Sequence, residues 1–410
     1  MFFCENSLTL FTPAQGFQAK SSVSHPPCLA TAGTTRCLIV FIKFKSDSFG
    51  KDLNQPGAEC VQDSLRSWRW EVNSLPPFAH QIIDSTTDSH PTPGSLTDYF
   101  FQMSAGRFHL IGEIYPKLII PWFEESYYFR QKGRGLAWLN RKILETIDPH
   151  VHFQRYDNNP RDGQVDLIIL LYRFFSSEGL DGAHYQGKAF LGGFSPFVCD
   201  SVQIDGRVFG SGITTECYKF TGVKLIAHEI GHYLFGSGHR NGIGAFGLMG
   251  NAGYSTMCAR EREILGWVTP KIITASVFND TLKDLTTTGQ IRKIWLNDQE
   301  YLLLANRQRI SFFEQLIDEP CKQGELPAAG LVLTHVWGNQ PDQFRIIAAD
   351  GKITAKGDST DVFAPARQEI LNSNHLLFYL RKKQTRIQFQ IQNLRCQNSD
   401  LIYNIIIENQ

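Results

Sequence analysis

The chain has 410 residues, with 40 Lys plus Arg against 40 Asp plus Glu, so no net charge is available to hold a phosphate backbone or an anionic membrane by bulk electrostatics, and nucleic acid is not an expected partner. An apolar share of 42% with 30 Phe, 7 Trp and 13 Tyr is ample for a packed core, while 20% charged residues in balance is too few for disorder. The length suits one large domain or two to three packed ones.

Residues 1–36 are rich in Ser, Thr, Pro and Gly without periodicity and read as an irregular leader or arm. Met1 to Leu10 lacks the basic stretch and continuous apolar run of a secretory signal. Leu38 to Phe44 is an apolar, β-branched run that predicts a strand buried on both faces, ended by Asp47, Ser48 and Gly50. Ser95 to Asp98 has capping-box spacing and opens a helix over Tyr99 to Met103, which Ser104-Ala105-Gly106 stops before an alternating strand, Arg107 to Tyr115. Ala137 to Ile147 carries helical spacing. Val165 to Tyr172 predicts a second doubly buried strand, and as the longest apolar run it is far short of the roughly 20 residues of a membrane helix.

The Gly-rich stretch Gly179 to Gly212 holds strand candidates at Lys188 to Leu191 and Val202 to Phe209. Thr221 then N-caps a helix running to about Phe235, and a further helix is expected over Ser255 to Leu265, stopped by Gly266. After Trp267 to Pro270 the character changes to short alternating runs with turn residues between them: Ile291 to Leu296, Tyr301 to Asn306, Leu331 to Val336, Phe344 to Ile347, Ile387 to Ile391 and Leu401 to Ile407. This last third reads as all β. No internal repeat is visible.

The chemistry concentrates in Thr221 to His239. His228 and His232 stand four apart, one helical turn on one face, so both imidazoles can reach a single ion. Glu229 lies beside them, placed to act on a metal-bound water as general base, which is the logic of H-E-x-x-H. Val223, Ile226, Ala227, Ile230 and Leu234 form an apolar stripe that anchors the helix. The pattern points to zinc, which in a catalytic site takes a third protein ligand and keeps a position open. His239 leads for that ligand. The metzincin pattern places a glycine and then a third His after the helix, and here Gly236 and His239 each come one residue late. Gly236 and Gly238 supply the backbone freedom to absorb the insertion. Glu261 or Glu263 is the alternative, although interleaving with Arg260 and Arg262 reads as a solvated helix face. Gly247-Leu248-Met249-Gly250 suits a Met-turn, with Met257 the alternative floor, and Tyr254 is either a phenol donor to an oxyanion or a packed side chain. Nine cysteines without a C-x-x-C pair argue against a zinc ribbon or an iron–sulfur site.

These residues together resemble the immune inhibitor A family of secreted zinc peptidases, from about Cys37 to the C-terminus. The resemblance is carried by L-I-V-F-I-K-F with Asp47, by S-L-T-D-Y-F-F-Q-M-S-A-G-R-F-H-L-I-G, and by H-E-I-G-H-Y-L-F-G, G-L-M-G and A-R-E-R-E-I-L-G-W in that order. In the β-rich part it is carried by E-Y-L-L-L-A-N-R-Q, L-P-A-A-G-L-V-L-T-H-V and A-D-G with G-D-S-T-D-V-F. The chain departs from the family in the extra residue before Gly236 and in Ala305, where a Glu is common before Asn-Arg. The resemblance implies a secreted or extracytoplasmic peptidase acting on proteins or peptides. It also implies calcium as a second ion at Asp350, Asp358 and Asp361, although Asp in Gly-rich turns is commonly structural.

The sequence therefore predicts an α+β protein: a leader over 1–36, a zincin-like α/β catalytic part with a mixed sheet over 37–269, and a β-rich part over 270–410. The expected activity is zinc-dependent endopeptidase, with Glu229 as base and His228, His232 and His239 as ligands. The rival readings are a gluzincin-type peptidase with a Glu third ligand and a catalytically silent binding or surface protein on the same fold.

Overall fold

A computed structural model describes residues 29–47, 71–87, 89–130, 135–159, 161, 163, 165–173, 189–192, 197–199, 202–204, 208–212, 223–236, 239–240, 242–250, 256–315, 329–338, 340, 342–349, 362–364, 371–372 and 387–409. The class is α+β, and no helix among these residues is long and apolar enough to cross a membrane. The chain divides into two compact units, Met1–Phe100 with Phe108–Gly238, and Phe101–Arg107 with His239–Gln410.

The first unit is built on a mixed sheet. Its strands are β1 (Gly33–Ile42), β2 (Phe108–Ile114), β3 (Leu167–Tyr172) and β4 (Ala189–Gly192); after a separate hairpin of β5 (Phe197–Cys199) and β6 (Val202–Ile204) comes β7 (Val208–Gly212). The order is β2-β1-β3-β7-β4, parallel throughout except for the edge strand β4. Parallel strands are covered on both faces. Accordingly every residue of β3 is buried, and β1 is buried from Cys37 to Ile42. Each such Leu, Ile or Val contributes about 1.5–3 kcal/mol by leaving water. The expected run Val202 to Phe209 falls on two strands, β6 and β7, which pair with different neighbours.

Helix α1 (Leu96–Met103) starts as its cap predicts, with Ser95 Oγ accepting the Asp98 N–H at 3.0 Å. Asp98 returns its carboxylate to the Gly94 N–H at 2.8 Å, one residue upstream of the box position, because the Ser95 N–H already donates to Thr92 O. Ala105 and Gly106 then take positive φ (52° and 76°) and turn the chain into β2. The helix α2 (Glu125–Arg130) was not predicted, while α3 (Gly135–Ile147) begins two residues before its predicted start. Leu139, Ile143, Leu144 and Ile147 pack with Leu38, Val40, Leu170 and Tyr172 of β1 and β3 in one apolar cluster.

In the second unit, β8 (Lys271–Ile272) is followed by β9 (Val277–Leu282), β10 (Arg292–Trp295), β11 (Glu300–Arg307), β12 (Gly330–Trp337), β13 (Phe344–Ile347), β14 (Leu371–Asn372), β15 (Ile387–Gln397) and β16 (Asp400–Asn409). They form two sheets, ordered β13-β12-β11-β10-β8 and β14-β15-β16-β9. Leu302, Leu304, Leu331 and Leu333 of the first sheet share a core with Phe389, Ile391, Leu401, Tyr403 and Ile405 of the second, as in a sandwich. The opposite face of β11 and β12, presenting Tyr301, Leu303, Ala305, Val332 and Val336, is buried against Ile243, Phe246, Cys258, Ala259 and Val268. Both faces are covered, so Tyr301 to Asn306 is buried throughout and does not alternate as expected.

In keeping with that packing, 239–268 group with the second unit. The first unit also holds α4 (Val223–Phe235), and the second is not wholly β: it contains α5 (Ala259–Ile264) and the single turns α6 (Leu285–Thr288) and α7 (Phe312–Gln315). The helix expected from Ser255 starts only at Ala259, with Cys258 as its cap.

Candidate metal centre

Helix α4 (Val223–Phe235) carries the two spaced histidines. Val223, Ile226, Ala227, Ile230 and Leu234, the predicted stripe, are all buried, fixing the helix in its unit. Thr221, its expected cap, lies outside the described residues. The helix ends at Gly236, whose φ of +85° is the left-handed conformation that glycine adopts without penalty, and whose N–H donates to His232 O at 3.0 Å.

The His228 and His232 rings stand 5.1 Å apart by centroid with planes at 90°. His232 Nδ1 is 3.4 Å from Gly236 O. With its proton donated to that carbonyl, His232 keeps the Nε2 lone pair for a ligand, as metal-binding histidines generally do. Glu229 Oε2 lies 4.0 Å from that Nε2. Glu229 is 7% exposed, and burial pushes its carboxyl up to about 8; a neighbouring cation favours the ionised form and opposes that shift.

His239 follows Gly236 by three residues, and one ligand atom from each of His228, His232 and His239 lies within 4.8 Å of the others. Three nitrogens on a tetrahedral zinc at about 2.0–2.1 Å are roughly 3.4 Å apart. The set closes on an ion with shifts of about an ångström, which the exposed His239 can supply by rotation. The partial burial of the His239 ring holds its imidazole below the ordinary value, toward the neutral form that ligation needs. Three imidazoles with a buried carboxylate beside them are a donor set that fits zinc.

The chain matches no protein-family model, and no curated protein is similar to it in sequence. The functional reading therefore rests on the site itself.

The alternative ligands are engaged elsewhere. Glu261 is not on a solvated face: it is 1% exposed, and Arg262 beside it is fully buried. Its Oε2 accepts the N–H groups of Leu248 (3.0 Å) and Cys258 (2.8 Å), and Oε1 accepts that of Met249 (2.8 Å). Arg262 donates to Met257 O and Leu285 O. Glu263 accepts from Arg260 Nη1 and from the Tyr301 hydroxyl, both at 2.9 Å, and pairs with Lys293. Neither glutamate belongs to the histidine cluster.

Leu248 and Met249 are fully buried in the turn expected of them. The turn closes through Gly250 N–H to Gly247 O at 3.4 Å, and a Cβ on Gly250 would stand 2.1 Å from Gly244 O. Met257 is also buried, with its N–H on Met103 Sδ. Ala305 packs in the apolar cluster of the second unit and makes no polar side-chain contact. Tyr254 and the Asp350, Asp358 and Asp361 group lie outside the described residues.

The role of Glu261 was missed by sequence reasoning, yet a signal existed. Cys258 to Glu261 has capping-box spacing, with cysteine in place of the usual Ser or Thr, and both halves of the box are present.

Proposed function

We propose that the chain is a zinc-dependent endopeptidase, with His228, His232 and His239 as metal ligands and Glu229 as general base. The observation that carries this reading is the convergence of the three histidines with a buried carboxylate one residue along the same helix. When bound in such a set, zinc lowers the pKa of its water to about 7 and polarises a carbonyl oxygen. The chain's own residues do the rest. Glu229 takes a proton from the attacking water and gives it to the leaving amine, and its burial strengthens that exchange by excluding bulk solvent. The Gly236 carbonyl holds His232 in the ligating orientation.

The resemblance to immune inhibitor A peptidases supports protein or peptide substrates and an extracytoplasmic location, and within it calcium at Asp350, Asp358 and Asp361 is a further proposal. Metal analysis of the purified chain, paired with casein and gelatin hydrolysis with and without a chelator, tests the reading. One zinc per chain and chelator-sensitive cleavage is the expected result. Bound zinc without cleavage under any activation treatment gives the ground to the silent binding protein, and absence of zinc overturns the centre altogether.

A further inference from the structure

The segment carrying His239 is tied to a buried carboxylate more than twenty residues downstream. Arg240 N–H donates to Met249 O at 2.7 Å, and Arg240 pairs with Gly250 in an isolated parallel bridge. The other side of the same turn is held by Glu261, which takes the N–H groups of Leu248 and Met249 while also fixing the cap of its own helix at Cys258. These contacts all lie within the second unit.

Three backbone donors converge on one carboxylate with no solvent nearby, so the turn has no competing partner to drift toward. His239 is exposed, and Arg240, the residue directly after it, is the one tied to that turn. We infer that Glu261 is a positioning residue for the metal centre, holding the Leu248-Met249 turn so that its carbonyl edge fixes Arg240 and, through it, His239. This inference rests on the zinc reading proposed above.

Glutamine at position 261 is nearly the same size but turns one oxygen into an N–H donor. In either orientation that group meets a backbone N–H, that of Met249 on one side or those of Leu248 and Cys258 on the other, so the turn loses at least one anchor. Loss of a group that orients a ligand costs about 10–100-fold in metal affinity.

The test is zinc affinity by chelator competition in the full chain for the parent, Glu261→Gln, His239→Ala and the double variant, with the visible spectrum of the cobalt-substituted forms. Glu261→Gln is expected to weaken zinc binding about 10–100-fold and to alter the cobalt bands, yet to add nothing in the His239→Ala background. Such non-additivity is the mark of action through His239. A structural role alone would lower apo-protein stability and leave the two substitutions additive in affinity. Glu261→Asp serves if Glu261→Gln does not fold, because it keeps the buried charge but withdraws the acceptor oxygens from the Leu248 and Met249 N–H groups by one methylene, and it is expected to weaken zinc in the same direction. Parental affinity in Glu261→Gln or, failing its folding, in Glu261→Asp, or additivity with His239→Ala, overturns the inference while the zinc reading stands. A parent chain that binds no zinc overturns both.

Discussion

Arg173 Nη1 donates to Asp47 Oδ1 at 2.7 Å, and both side chains are 1% exposed. The pair joins residues just past the ends of β1 and β3, the two central parallel strands. Removing the guanidinium strands a charge in the interior. Arg173→Met is expected to cost about 3–5 kcal/mol in urea unfolding, and pairing it with Asp47→Leu to recover a large part of that loss. Equal stability of Arg173→Met and the parent would show that the pair contributes nothing.

Glu229→Gln is expected to retain fold and zinc while casein hydrolysis falls about 10²–10⁴-fold, since an amide cannot accept a proton from water. Metal content measured on the same sample separates loss of the base from loss of the ion. Cleavage at the parental rate removes Glu229 from the reaction.

His232→Ala is expected to lower zinc stoichiometry below one per chain, because the substitution deletes a ring already oriented by the Gly236 carbonyl. In the parent, a chelator is expected to abolish cleavage and added zinc to restore it. Elemental analysis before and after dialysis reads both, and unchanged zinc in the variant contradicts the assignment.

Among the described cysteines, Cys37 and Cys258 are buried, with thiols pushed above the usual range chiefly by desolvation, whereas Cys396 is exposed. The thiolate is the reactive form. Alkylation of the folded protein followed by peptide mass spectrometry is therefore expected to label Cys396, with Cys37 and Cys258 reacting only on unfolding. Prompt labelling of Cys37 would mean that the central strand opens far more readily than its packing implies.

A Cβ on Gly112 would lie 2.6 Å from Cys37 O and 2.9 Å from Ile83 Cδ1. Gly112→Ala is thus expected to destabilise the chain by about 1–3 kcal/mol, the usual range for overpacking, in a thermal or urea scan.

The strands legible in the sequence were those whose burial pattern is local. β1 and β3 announce themselves because both faces are covered. The histidine helix was equally plain, since its polar spacing and apolar stripe share one period. β9 was missed because only two of its six residues, Asp280 and Leu282, are buried, and Phe278 points into solvent at 65% exposure. Glu261 was misread for a different reason. A glutamate between arginines reads as a solvated face, and its actual partners are backbone N–H groups of a turn twelve or more residues upstream, which carry no side-chain signature.

The register of the parallel sheet also sets a timetable. Cys37 lies beside Leu167, and the strand between them in space order is none, so β1 gains its inner neighbour only once β3 has been made. At ribosomal speeds of about 5–20 residues per second, the apolar stretch Cys37 to Ile42 stays unpaired on that edge for roughly ten seconds. Such an interval favours capture by a holding chaperone over folding during synthesis, and it makes the yield of this protein a matter of translation pace as much as of final stability.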